Sequence, residues 1–225
     1  MSGRLLGGRV MVLVAHPDDE VLGAGGTIHR IADDAEVSVV IVNPGAAMER
    51  RGTTREYVDE LIDSAGDAAV ILGVRKLVVG PFRDVELSNR SVQIRDVHHF
   101  VEDCISELKP DVVISHSGVE THKDHLILHE TAKVAVRPNN GARIGLLQFA
   151  PIGLYPNGFV PTMYVSLSEQ DIEAKEAALM CYYGEVHKHT TGWRSIRAVR
   201  GRAVVSGLEC GAEYAEAFRV ERWYV

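Results

Sequence analysis

Three cysteines in 225 residues are too few to brace a fold. Cys104, Cys181 and Cys210 are odd in number and lack the close spacing of thiolate metal sites, which excludes a disulfide framework and a cysteine zinc cluster. They are read as packing or surface residues of a protein held in a reducing cytoplasm. Long apolar runs are missing as well. No stretch approaches the roughly 18 residues that cross a bilayer, so stable membrane insertion is not expected. The opening "MSGRLLGGRVMVLVAHPDDE" has an arginine and a short apolar run, but acidic residues follow where a leader would have a cleavage site, so it is read as a first strand. Positive charge is in deficit, with 24 Lys and Arg against 31 Asp and Glu. A net charge of -7 argues against a general nucleic-acid binder. "GAGG" at residues 23–26 does not have the spacing of a dinucleotide fingerprint, and packing is the plainer role for Gly23, Gly25 and Gly26.

What remains is ordinary globular material: 46% hydrophobic and 24% charged residues, without repeats, low-complexity stretches or an evident linker. One domain over 1–225 is expected. "RVMVLVA" (9–15) is apolar without alternation, the pattern of a strand buried on both faces. Further strands are expected at 36–42, 76–79, 111–115, 144–150 and 163–167. Helices are expected at 23–32, 55–72 (with Gly73 as its C-terminal stop), 92–108, 124–136 and 168–183, the last opened by a near capping box of Ser168 and Asp171. The tail reads as turns with one or two short strands. Alternating strands and helices imply an α/β, Rossmann-like three-layer sandwich: a mostly parallel sheet with helices on both faces. "PIGLYPNGFVP" (151–161) is a loop long enough to shape a site, which makes Tyr155 and Asn157 candidate substrate contacts.

The chemistry concentrates where two of these strands stop. The first runs into His16, Asp18, Asp19 and Glu20. The fourth runs into Ser115 and His116, with "HKDH" at 122–125 close behind. Ligands of open α/β sheets sit beyond the carboxyl ends of the strands, so the two clusters meet if the two strands are neighbours. Adjacent carboxylates repel and call for a cation. Two histidines and a carboxylate, His16, Asp19 and His125, provide a catalytic zinc site with an open position, leaving Asp18 as a general base. Taken alone, each piece has a plainer explanation. His-x-x-Asp is common, a helical His pair is usually surface, and acids favour a helix N-terminus. The conjunction at one end of one sheet favours the site.

"AHPDDEVLGAGGT" closely resembles the signature of the zinc-dependent de-N-acetylases that include the N-acetylglucosaminyl-phosphatidylinositol deacetylases and the LmbE-like enzymes, some of which act on mycothiol and bacillithiol precursors. "SHSGVETHKDH" resembles the second motif of that family, and "GAEYAEAF" is also similar to it. The resemblance implies zinc on His16, Asp19 and His125, with Fe2+ as another admissible metal. It implies Asp18 as base on the attacking water, His122 as stabiliser of the intermediate or proton donor to the amine, and Asp124 as a group orienting a histidine. Lys123 stands where the family usually has proline. No clean match exists for the early arginine of the family; Arg50, Arg51 and Arg55 are candidates, with Arg50 and Arg51 taken as substrate contacts. His116 is a candidate second layer around the metal. The implied substrate is a small N-acetylated amino sugar or glycoside, and a homo-oligomer is compatible with the sequence.

Several residues stay outside this reading. Arg194, Arg197, Arg200 and Arg202 are taken as a solvated face. His98 and His99 are structural, His129 could face the metal, and His187 and His189 are left between site and surface. Two rival functions use the same ligands: a non-haem iron oxygenase, and a metal-dependent sugar-binding module without catalysis.

Overall fold

The computed structural model describes residues 6, 8–44, 54–82, 87, 94–138, 143–150, 158–182 and 192–224. Seven strands form one sheet: β1 (Arg9–Val14), β2 (Glu36–Ile41), β3 (Lys76–Val79), β4 (Val112–Ser115), β5 (Gly145–Phe149), β6 (Met163–Leu167) and β7 (Tyr214–Arg222). Their order is β3-β2-β1-β4-β5-β7-β6. The first five in that order run parallel; β7 is antiparallel to both β5 and β6. Six helices are described: α1 (Asp19–Ile31), α2 (Arg55–Ile71), α3 (Ile94–Leu108), α4 (Lys123–Ala135), α5 (Glu169–Cys181) and α6 (Ile196–Cys210). None is long and apolar enough to cross a membrane.

The unalternating sequence of β1 has the expected cause. Val10, Val12 and Val14 enter one core with residues of α1, α2, α5 and α6. Met11, Leu13 and Ala15 enter a second core with residues of α3 and α4. Each strand position thus has an apolar layer to meet, which makes the three-layer sandwich. Local signals set several boundaries. Ser168 and Asp171 close a full capping box at the start of α5. Gly73 follows α2 at φ 72°, and a Cβ there would lie 2.8 Å from that of Ala32.

Two expectations need correction. The helix after β1 begins at Asp19, four residues before the predicted start, and breaks at Ala24 (φ -146°). The acidic run enters the helix rather than preceding it. The tail is also more regular than predicted, with a 15-residue helix and a nine-residue strand. "IRAVRGRAVVSGLEC" has two glycines and three valines, weak helix formers without a clear apolar period, so its helicity rests on tertiary packing. Ser195 caps it by accepting from the Ala198 amide at 3.2 Å. The glycines near the break of α1 pack, as expected: a Cβ at Gly23 would lie 2.7 Å from the Phe149 ring, and one at Gly26 would lie 2.5 Å from Leu167.

Candidate active site

β1 and β4 are hydrogen-bonded neighbours, pairing Val10 with Val112 through Leu13 with Ser115. Their ends deliver the two clusters to one place. Asp18 takes a left-handed backbone (φ 90°), unusual without glycine, and its side chain makes no capping bond to α1. Asp19 then turns inward and is fully buried. Its Oδ2 accepts from the His16 amide at 2.9 Å, closing the turn. From the other side, His122 ends the loop after β4 and caps α4, its Nδ1 accepting from the Asp124 amide at 3.3 Å. That places Asp124 and His125 in the first turn of α4, both buried.

The ring centroids of His16 and His125 are 5.3 Å apart. Asp19 Oδ2 lies 3.4 Å from His16 Nδ1 and 3.3 Å from His125 Nε2. Donors at zinc distances in a tetrahedron stand about 3.3–3.6 Å from one another, and the two spacings to Asp19 fall in that range. His125 Nε2 makes no hydrogen bond in spite of that proximity, and Asp19 Oδ1 has no hydrogen-bond partner either. Buried polar atoms in that state are what a metal satisfies. The far nitrogen of each imidazole faces a carboxylate. His16 Nε2 is 3.0 Å from Asp124 Oδ2, and His125 Nδ1 is 3.3 Å from Glu120 Oε2. The Asp124 contact fixes the His16 tautomer and aims its inner nitrogen, whereas His125 Nδ1, though near Glu120, makes no hydrogen bond. Asn43, just past β2, also donates to Asp124 Oδ2 at 3.2 Å.

Grouped by donor atoms within 4.8 Å, the described residues give two trios that share His125, His16 with His122 and Asp19 with His116, and neither is the expected set of His16, Asp19 and His125. His116 Nε2 accepts from the Ala15 amide at 3.0 Å, and its Nδ1 is buried without a hydrogen bond. Its ring stacks on His125 with centroids 4.0 Å apart and meets Phe149 edge-on. It packs directly against the His125 ring. His129 turns away: its Nδ1 lies 3.1 Å from the His116 carbonyl.

Charge in this cluster follows from its neighbours. Burial would lower the His125 pKa, but Asp19 and Glu120 outweigh it and raise it to about 10. Burial opposes ionisation of Asp19, yet His125 and His16 hold it well below the ordinary carboxylate range. Burial drives Glu20 the other way, to about 8, with Asp18 and Asp19 adding to the effect. Neutral at pH 7, Glu20 accepts a 2.6 Å hydrogen bond from Tyr182. The three consecutive acids therefore do not carry three charges into one space. His122 is lowered by burial and by its histidine neighbours.

Of the expected site residues, His16, Asp18, Asp19, His116, His122, Asp124 and His125 come together. Arg50, Arg51, Tyr155, Asn157, His187 and His189 lie outside the described residues. The arginine face is corrected in part: Arg197 is exposed, but the other three are engaged. Arg194 reaches Asp18 Oδ2 at 3.1 Å, while Arg200 binds Glu176 and Glu169 on α5. Arg202 donates to the Trp193 carbonyl at 2.6 Å. Only contacts between distant segments separate these roles, and charge spacing carries none of that. The Glu120–His125 contact was also missed, although Glu120 lies inside the second motif; a carboxylate five residues before His125 was its one signal.

A family model described as PIG-L, GlcNAc-PI de-N-acetylase, matches residues 11–136. Among individual proteins, the chain is 30% identical over 162 residues to the 1D-myo-inositol 2-acetamido-2-deoxy-alpha-D-glucopyranoside deacetylase of Rhodococcus jostii, covering 60% of this chain and 55% of that one. The chain thus spans about half the length of that relative. It is 25% identical over 226 residues to the diacetylchitobiose deacetylase of Thermococcus kodakarensis, covering 94% of this chain and 82% of that one. A solved structure, the 4-carboxy-2-hydroxymuconate hydratase of Pseudomonas putida, superposes with TM-score 0.76 at 22% identity, covering 97% of this chain and 98% of that one. That likeness shows a shared fold, and a fold by itself leaves the reaction open. The first motif at the end of β1 and the second on α4 both fall inside the matched span, and on that match the chain belongs to the PIG-L, GlcNAc-PI de-N-acetylase family.

Proposed function

We propose that the chain, as one domain over 1–225, is a divalent-metal-dependent hydrolase that removes the acetyl group from a small N-acetylated amino sugar or glycoside. The observation that carries this reading is Asp19 Oδ2 standing 3.4 Å and 3.3 Å from one nitrogen each of His16 and His125, with a carboxylate behind each ring. His16, Asp19 and His125 would hold the ion, with zinc the metal that suits this donor set and Fe2+ the substitute. When bound, the ion acidifies water and polarises a carbonyl.

The chain supplies the rest. Asp18 takes the proton from the attacking water as the carbonyl carbon becomes tetrahedral. His122 accepts at Nδ1 from the backbone, which leaves Nε2 to donate. It stabilises the developing oxyanion, and it or protonated Asp18 passes a proton to the departing amine as the C–N bond breaks. Acetate and a free amine result. Asp124 and Asn43 hold His16 in place throughout. Homologues acting on N-acetylated sugars support the substrate class.

The test is a panel of N-acetylated sugars and glycosides incubated with zinc-loaded protein, read by free amine and by acetate. Stoichiometric release without oxygen supports hydrolysis. Oxygen-dependent turnover would point to the oxygenase, and tight binding with no release to the binding module.

A further inference from the structure

Asp18 is 2% exposed, its backbone is left-handed, and its side chain makes no capping bond to α1. Its carboxylate instead meets Arg194, a residue 176 positions away, whose Nη1 donates to Oδ2 at 3.1 Å. The Arg194 side chain is itself largely buried, and its guanidinium lies 4.6 Å from the centroid of the Trp193 ring. The turn that presents it is braced on three sides. The Ser195 amide donates to the Gly192 carbonyl at 3.0 Å, Ser195 caps α6, and Arg202 reaches back from α6 to the Trp193 carbonyl. Nothing in the charge pattern of the tail requires such bracing on a solvated surface.

We infer that Arg194 is a positioning residue for this site: the braced turn before α6 holds the Asp18 carboxylate by one oxygen and fixes where it faces the reacting water. The inference rests on the reading of Asp18 as the base. A planar guanidinium suits the task because its donors are fixed in direction, whereas an ammonium is a mobile point charge. A direct role for Arg194 in anchoring an anionic part of the substrate is the competing assignment. The two separate in kinetics, since a misplaced base lowers kcat and a lost anchor raises KM.

Arg194→Met and Arg194→Lys are to be compared with the parent in the zinc-loaded protein. The readouts are kcat and KM, zinc affinity by chelator competition, and a crystal structure of Arg194→Met. Displacing the base predicts a fall in kcat of about 10²-fold in Arg194→Met, with KM and zinc affinity little changed. Arg194→Lys recovers part of the loss, and the Asp18 carboxylate leaves its place in the variant crystal. Should Arg194→Met fail to fold, Arg202→Met loosens the same turn and should lower kcat in the same direction by less. A raised KM at unchanged kcat, or an Asp18 carboxylate that stays put with full activity, overturns the inference. A parent protein that releases no acetate sinks the proposed function instead, and the crystallographic comparison still decides what holds Asp18.

Discussion

Two regions of this molecule bury ionised groups, and they do it in opposite ways. Under α1, Lys175 and Glu216 are each about 5% exposed. Lys175 donates to Glu216 and to the Leu22 carbonyl, and Glu216 accepts from the amides of Gly26 and Thr27 at 3.0 Å and 2.7 Å. Those amides lie just past the break at Ala24, so the carboxylate caps the second half of a broken helix. Donors and acceptors answer one another inside the protein. At the ends of β1 and β4, by contrast, Asp19 Oδ1 and His125 Nε2 are buried without a hydrogen bond. A closed network is a structural device; one with inward-facing orphans is built around something else.

Substitutions at the two places should therefore fail differently. Asp18→Asn should cost about 10²–10⁴-fold in kcat while zinc stays bound, the loss expected of a positioned base. Asp19→Ala should lose the zinc as well. Kinetics beside chelator competition separate the two, and an Asp18→Asn variant with near-normal turnover would remove it as the base. In the closed network the damage should be to stability. Lys175→Met leaves Glu216 buried without its cation and should destabilise by about 3–5 kcal/mol in urea titration, with kcat per folded molecule unchanged. Adding Glu216→Gln should return part of that, since the amide oxygen can still accept from α1.

Asp124→Asn tests the seam between the two behaviours, because Asp124 Oδ2 meets both His16 Nε2 and Asn43. Loss of that carboxylate should weaken zinc binding by about 10–100-fold, read by competition. Full affinity would mean that the 3.0 Å contact with His16 Nε2 does no orienting.

How far these assignments were legible in the sequence depends on how local their causes are. β1, the Ser168–Asp171 capping box and the Gly73 stop follow from residues a few positions apart, and all were readable. The proximity of His16, Asp19, His122 and His125 was readable as well, because each motif lies within one strand-end turn or one helix start. The junction of the motifs was readable only through the rule that ligands gather at strand ends. Arg194 and the pairing of Lys175 with Glu216 were not readable, because their partners lie 176 and 41 or more residues away. The tail reads as turns with one or two short strands, so the nine-residue length of β7 was not readable. Its strand character depends on lying between β5 and β6, which come from earlier in the chain.

The smallest effect concerns a readable feature, the box at the start of α5. Asp171 accepts from the Ser168 amide at 2.8 Å and faces His29 Nδ1 at 2.7 Å. Burial alone would raise its pKa, but these contacts outweigh burial and lower it. A carboxyl whose folded pKa is depressed contributes stability above its unfolded pKa of about 3.9 and loses that contribution as pH falls through the lower folded value. Asp171→Asn should thus cost about 1 kcal/mol near pH 7, the usual size of a lost cap, and progressively less below about pH 4. Urea midpoints for parent and variant at pH 7 and near pH 3 give the comparison. A gap that stays constant between the two would show that the charge on Asp171 does nothing for the cap. Zinc affinity should not move at either pH where binding is measurable, because this box, like the pair at Lys175, is satisfied within the protein.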